Sequence, residues 1–294
     1  MVVPRKVPEH LETPPLISVI IPVYDRFELL MQAAASVLNQ EMTDFELIIV
    51  DDGSKEEITP AAGLGDERVR VLRLRHTGFP GLVRNRGVEI ARGRYLAFLD
   101  SDDLWLPEKL MFQTAYFEEH PDVRICHTRE RWERNGDTVS QASQRHRREG
   151  DLFEESLKKC IIGPSTVMLE KELFLETGGF REEFEIAEDY EYWLRLTAYH
   201  RVGYIDTPLT VKRAGGWEQL SEKHGQIEIF RIRGLEDLVD SNFFPPDREA
   251  AARKELVRKC RIYAAGCRKR GRTAEAERYE ATAVSYEERE SPSL

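Results

Sequence analysis

Residues 17–24 read ISVIIPVY, a nearly unbroken apolar and β-branched run. Such a run predicts a strand covered on both faces. FELIIVDDGS at 45–54 repeats the pattern and stops on carboxylates and a glycine turn. RVRVLRL at 68–74 alternates and predicts a third strand, and RYLAFLD at 94–100 predicts a fourth. Between these runs the period changes. In RFELLMQAAASVLNQ, residues Leu29, Leu30, Ala33, Val37 and Leu38 fall on one helical stripe, and GLVRNRGVEIAR at 81–92 predicts a second helix. Pro107 suits the first turn of a helix over 107–119. Strands alternating with helices predict an α/β fold, Rossmann-like, with a mainly parallel central sheet and helices on both faces.

Past residue 120 the pattern is less regular. VRICHTRERWE predicts a strand, DLFEESLKKC a helix, PSTVMLE (164–170) another strand, and KELFLETGGF a short helix stopped by Gly178–Gly179. IAEDYEYWLRLTAYH (186–200) places Tyr190, Trp193, Leu194 and Thr197 on one helical stripe, and VGYID and PLTVKR predict two short strands. From about 218 only helical spacing remains, ending in a hairpin of helices over roughly 247–270 and 273–289 joined by KRGRT. The hairpin resembles half of a tetratricopeptide-type repeat, and one unit makes no array. The expected division is an extended lead-in over 1–15, an α/β domain over 16–215 and a helical annex over 216–294.

Composition narrows the function classes. With 294 residues, 41% hydrophobic and 33% charged, the chain reads as soluble and globular, long enough for a sizeable core. A formal net charge of −10 argues against nucleic-acid binding driven by phosphate attraction. Cys126, Cys160, Cys260 and Cys267 form neither a CxxC pair nor a disulfide framework and suit a reducing compartment. No apolar run reaches the roughly 18 residues of a spanning helix, and the N-terminus lacks the apolar core of a signal peptide. The expected location is cytoplasmic, with peripheral contact at the inner membrane surface left open.

The carboxylates change the picture most. In open α/β sheets, ligands bind outside the carboxyl ends of the strands. Tyr24–Asp25, Asp51–Asp52 and Asp100–Asp103 all fall at that edge. In DSDD, three close carboxylates repel one another unless a cation joins them; an oxygen-seeking divalent ion does so and commonly bridges to phosphate. The alternative is a solvated turn capping the next helix. Asp52 can accept an N–H from a nucleobase ring or close an Asx turn. Glu188 and Asp189 open a helix whose dipole favours anions, where a carboxylate can act as general base toward a hydroxyl or merely settle the helix start. Residue types alone leave each of these alternatives open.

ISVIIPVYDR, FELIIVDDGS, GFPGLVRNRGVEIARGRYLAFLDSDDLWLPEKL and GGFREEFEIAEDYEYWLRL occur in this order. Together they resemble family 2 glycosyltransferases of the GT-A fold, over roughly residues 16–213, about two thirds of the chain. The resemblance implies an inverting transfer of sugar from a nucleoside diphosphate sugar, a UDP-sugar being favoured, to a hydroxyl acceptor that is a saccharide or lipid-linked. It implies that Pro22, Val23, Tyr24, Asp25 and Asp52 hold the nucleobase and ribose, with Asp51 supporting and Arg84 near the base or diphosphate. Asp100 and Asp102 match the family's DxD, spanning Ser101. The first approaches ribose or metal and the second coordinates Mn2+ or Mg2+, with Asp103 helping through water. Asp189 matches the catalytic base, with Glu188 beside it.

One departure stands out. Members of the family often carry a His before a Gln-Leu-Ser, and here Trp217 stands in VKRAGGWEQLSEKHGQ, with His224 seven residues later as the candidate substitute ligand. Two other readings compete: a nucleotidyltransferase of related fold, for which PVYDRFELL lacks the Gly-rich triphosphate loop, and a binding module without catalysis. Basic clusters at Arg129, Arg131, Arg134, Arg145, Arg147 and Arg148, and along residues 253–272, read as solvated faces or as a surface for an anionic acceptor or membrane.

Overall fold

The computed structural model describes residues 13–59, 65–139, 149–215 and 227–288. Strands β1 (Ile17–Val23), β2 (Phe45–Asp51), β3 (Val69–Arg73) and β4 (Tyr95–Phe98) pair in parallel, in the spatial order 3-2-1-4. Helices α1 (Phe27–Leu38) and α2 (Pro80–Ile90) make the crossovers. The unbroken apolar runs have the cause expected of them. Ile17, Val19 and Ile21 of β1 join Leu47 and Ile49 of β2 against α1, whereas Ile20, Ile48, Val50 and Phe98 point the other way toward α2. Alternate residues thus feed two separate apolar layers.

α2 lies unusually close to its neighbours. A Cβ on Gly87 would fall 2.6 Å from Ile20 Cγ2, and one on Gly81 would fall 3.0 Å from the Arg181 carbonyl oxygen and 3.2 Å from Glu188 Cγ. Glycine at these positions sets the depth at which the helix seats.

Beyond β4 come β5 (Leu104–Trp105), α3 (Lys109–Glu119), β6 (Ile125–Arg134) and β7 (Asp137–Val139). Then follow α4 (Phe153–Lys158), β8 (Val167–Glu170), α5 (Lys171–Glu176), α6 (Glu188–Thr197) and β9 (Gly203–Ala214). β8 inserts antiparallel between β4 and β6, β9 runs parallel to β6, and β5 pairs with the far edge of β9. The sheet is therefore mixed, with its N-terminal half parallel. Two expectations change here. The two short strands expected over 202–213 are one strand, and Pro208 sits where the register with β6 shifts, so a bulge absorbs it. Neither β5 nor β7 was expected; Asn135 and Gly136, at φ 51° and 86°, form the tight hairpin turn that leads into β7.

Helices α7 (Ile227–Asp240), α8 (Pro246–Lys269) and α9 (Thr273–Glu288) share an apolar cluster with Leu157 of α4 and with Tyr190 and Leu194 of α6. Many cations of α8 and its following turn are met by carboxylates: Arg253 by Glu249, Arg258 by Glu255, Arg261 by Glu287, Arg268 by Glu280 and Arg272 by Glu275. Their charge is largely balanced within the helices. Among the described residues no helix is long and apolar enough to cross a membrane.

Candidate active site

A cavity of about 930 Å3 opens at the carboxyl edge of the parallel strands. Pro22, Val23, Tyr24, Asp52, Arg84, Asp100, Ser101, Asp102, Glu188 and Asp189 all line it. Residues from Pro22 to Ile227, 205 positions apart in sequence, therefore meet around one space. Asp25, which is exposed, and Asp51, which lies behind this wall, do not line the cavity. Asp51 is fully buried and accepts from the Ser54 amide at 2.8 Å, while Asp25 accepts from the Lys55 amide at 2.7 Å and donates its own amide to Ser54 Oγ at 2.9 Å. Asp25 fastens the β1 turn to the β2 turn, and Asp51 closes the β2 turn on itself.

Asp52 is also heavily engaged. Its Oδ1 accepts from the Thr77 amide and hydroxyl, each at 2.9 Å; its Oδ2 accepts from the Gly78 amide at 2.9 Å and lies 3.0 Å from His76 Nδ1. The carboxylate thus holds the 76–78 loop in place. On that loop His76 stacks against Tyr24, ring centres 3.9 Å apart, and the two rings form a flat wall.

The DSDD repulsion is answered by protein cations. Asp100 takes Arg84 Nη2 at 2.7 Å and Lys212 Nζ at 3.3 Å. Asp103 takes the same Lys212 nitrogen at 2.6 Å, the Ser165 hydroxyl at 2.6 Å and the Arg213 amide at 3.1 Å. Asp102 takes Arg26 Nη1 at 2.8 Å. Burial alone would raise the Asp100 carboxyl, but Lys212 and Arg84 outweigh it and hold it well below the usual carboxylate range. Burial wins at Asp103, pushing it up to about 6 against the pull of Lys212, with Asp100 and Asp102 adding to the rise.

Among the described residues, no three His, Cys, Asp or Glu groups converge as a cage for an ion. The donors present fit a hard divalent cation of another kind, one held through a single protein carboxylate with phosphate and water oxygens filling the rest, as magnesium commonly is. Asp102 lines the cavity and is a carboxylate that could serve such an ion. His224 and Trp217 lie outside the described residues, as do Arg145, Arg147 and Arg148.

At the other end of the cavity α6 begins. Ala187, just before it, has left-handed backbone at φ 62°, a strained geometry for a residue with a Cβ. This kink launches Glu188 and Asp189 in different directions. Glu188 is buried and its Oε1 takes Arg84 Nη1 at 2.5 Å. Burial pushes Glu188 up to about 7, with Arg84 opposing and Asp189 adding. Asp189 is half-buried, with Oδ1 accepting from the Tyr190 amide at 2.7 Å and Oδ2 from the Cys160 thiol at 3.3 Å.

Sequence reasoning passed over several members of this site. Lys212 is the clearest: TVKR reads as ordinary strand, and only the pairing of β5 with β9 brings Lys212 to the DSDD turn. Arg26, His76 and Cys160 lie on loops whose spacing carried no signal. Trp132 and Glu130 also line the cavity, with the indole N–H donating to Glu130 Oε1 at 2.8 Å.

Known proteins share this arrangement of elements. A TarS fragment from S. aureus, residues 1–349 in complex with UDP-GlcNAc, superposes with a TM-score of 0.66 at 20% identity, covering 91% of this chain and 79% of that one. The mannosyltransferase PcManGT from Pyrobaculum calidifontis, in complex with GDP-Man and Mn2+, gives 0.62 at 15% identity, over 96% and 77%. An uncharacterized glycosyltransferase of Rickettsia felis is 33% identical over 202 residues, 68% of this chain and 33% of that protein. The Escherichia coli UDP-Glc:alpha-D-GlcNAc-diphosphoundecaprenol beta-1,3-glucosyltransferase WfgD is 28% identical over 65% of this chain and 73% of its own. The chain thus spans about a third of the rickettsial relative's length. The profile of glycosyl transferase family 2 matches residues 18–178, more than half of the chain, and takes in both the strand-end carboxylates and the helix that carries Arg84. The chain belongs to glycosyl transferase family 2.

Proposed function

We propose that the chain transfers a sugar from a nucleoside diphosphate sugar, a UDP-sugar by preference, to a hydroxyl of a saccharide or lipid-linked acceptor, with inversion at the anomeric carbon. One observation carries the reading: Asp102 and Asp189 line the same cavity, so a diphosphate end and a base end share one space. The nucleotide-bound forms of TarS and PcManGT and the lipid-linked acceptor in the name of WfgD support the substrate classes.

In the proposed reaction the donor's base lies by the Tyr24–His76 wall, and the diphosphate extends toward Asp102. Asp102 would hold a Mn2+ or Mg2+ ion, which when bound supplies positive charge against the phosphate oxygens as the leaving group forms. Arg26 and Arg213 line the cavity next to Asp102 and add fixed positive charge there. Asp189 accepts the proton of the acceptor hydroxyl. The hydroxyl oxygen bonds to the anomeric carbon, and the bond to the diphosphate breaks with its electron pair going to the diphosphate. Asp189 suits the base because it borders the cavity, whereas Glu188 is pinned by Arg84.

The test is a screen of UDP-, GDP- and dTDP-sugars with Mn2+, read as released nucleoside diphosphate and transferred sugar. Asp189→Asn should keep nucleotide binding and lower kcat by roughly 10²- to 10⁴-fold. Asp102→Asn should weaken metal-dependent donor binding. Near-normal transfer by Asp189→Asn would overturn the base assignment.

A further inference from the structure

We propose that Arg84 is a positioning residue, tying the donor-side turn at Asp100 to the first turn of α6 so that Asp102 and Asp189 keep a fixed register across the cavity. The inference rests on the transfer reaction proposed above and adds the element that makes its two ends one machine.

The geometry points to a tie. One planar guanidinium reaches Asp100 Oδ1 with Nη2 at 2.7 Å and Glu188 Oε1 with Nη1 at 2.5 Å. Its side chain is only 6% exposed and that of Glu188 7%, so water screens the Glu188 pair little, while Asp100, 24% exposed, faces the cavity. The rigid fork fixes the angle between the two carboxylates, which a lysine amine cannot do. The next residues of α2 grip the same segment. Asn85 donates to the Phe180 carbonyl at 2.8 Å and accepts from the Phe180 amide at 3.1 Å, and Arg86 reaches Glu182 at 3.3 Å. Gly81 lets the helix close to van der Waals distance of Glu188. α2 therefore grips residues 180–188 at several points, and Arg84 alone among these carries the grip through to the DSDD turn.

Arg84 is also imperfectly satisfied. Among the described residues its buried Nε–H has no acceptor, a desolvation cost that an arginine present only for stability would be expected to avoid. The two ends differ in what backs them up. Asp100 keeps Lys212 at 3.3 Å if Arg84 is lost, and Asp103 keeps it at 2.6 Å. Glu188 has no other cation within ion-pairing distance among the described residues. Loss of Arg84 should therefore disturb the base end more than the donor end, and so reduce turnover more than donor binding.

The experiment compares Arg84→Lys, Arg84→Gln, Glu188→Gln and the Arg84→Gln/Glu188→Gln double variant. Each is measured for UDP binding with Mn2+ by calorimetry and for steady-state transfer. The tie predicts that Arg84→Lys and Glu188→Gln lower kcat roughly 10- to 100-fold while the UDP Kd stays within about threefold. It predicts that the double variant is no slower than Arg84→Gln alone. Should Arg84→Gln fail to fold by circular dichroism, the Lys and Glu188→Gln variants carry the test. Wild-type kcat in Arg84→Lys, or additive losses in the double variant, would overturn the tie. A rise of about tenfold or more in UDP Kd with unchanged kcat would overturn it in favour of direct donor contact. If the wild-type protein transfers no sugar from any donor, the proposed reaction falls and the tie with it; activity with indifferent variants sinks the tie alone.

Discussion

Replacing Lys109 by methionine should make the protein more stable at pH 6 and progressively less advantaged as the pH rises. Lys109 is fully buried, with its amine 4.0 Å from the centre of the Trp105 ring and 2.5 Å from Gln113 Oε1. Among the described residues no carboxylate lies within ion-pairing range, and burial pulls its pKa from 10.5 down to about 7. A lowered lysine pKa means that the unfolded chain binds more protons between about pH 7 and 10.5, so stability rises across that window. Below pH 7 the full penalty is present, on the order of 5 kcal/mol. Methionine removes it and keeps a polarisable group against Trp105, but it leaves Gln113 Oε1 without its donor at a cost of about 1–3 kcal/mol and gives up a cation–π contact of about 1–2 kcal/mol. The net gain at pH 6 should be about 0–3 kcal/mol, falling by roughly 2–3 kcal/mol by pH 9 as the native protein sheds its penalty. Urea unfolding of both proteins at pH 6, 7.5 and 9 measures this directly. A difference that does not change with pH would refute the reasoning, because it would mean Lys109 keeps its ordinary proton affinity in the fold.

Gly81→Ala should cost about 1–3 kcal/mol by urea unfolding, since the new Cβ meets a backbone oxygen that cannot move cheaply, and it should slow transfer by displacing Glu188; wild-type stability and rate would contradict the close-seating account of α2. Ala187→Gly should leave stability within about 1 kcal/mol of wild type, because relief of the left-handed cost of about 1–2 kcal/mol is set against about 0.5–1 kcal/mol of unfolded-chain freedom and about 0.8 kcal/mol for a buried methyl. A loss of about 1.5 kcal/mol or more in urea unfolding would show that Ala187 is not strained.

What the sequence made legible divides along the chain. The parallel half was readable because β1, β2 and β4 are apolar on both faces, and few other structures bury such runs. α8 and α9 were found within a residue or so of their ends, set by Pro246 and the turn at Gly271. The second half of the sheet was harder, because its order depends on β8 inserting between β4 and β6, a long-range choice that no local period encodes. β7 was missed although Asn135–Gly136 announced it. At the site, Asp100, Asp102, Glu188 and Asp189 stood out by charge at strand and helix ends, and they line one cavity. Lys212 did not stand out, because a lysine on a strand looks like any solvated lysine until the tertiary fold buries it between two carboxylates. The likeness of Asp51 and Asp52 in sequence hid a difference. One is wholly enclosed behind the wall, and the other borders the cavity with both oxygens engaged by the neighbouring loop.

The saturation of Asp52 has a consequence for anyone who would retune the protein. A carboxylate offers about four acceptor positions; three donors already occupy this one, and the His76 ring nitrogen lies 3.0 Å from it. On the proposed reading, a nucleobase docked beside Tyr24 and His76 would be told from its rivals by other atoms. Substituting position 52 would then unfasten the adjoining loop before it altered preference. Exchanging one base preference for another becomes a matter of redrawing the path of residues 76–80, not of editing one letter.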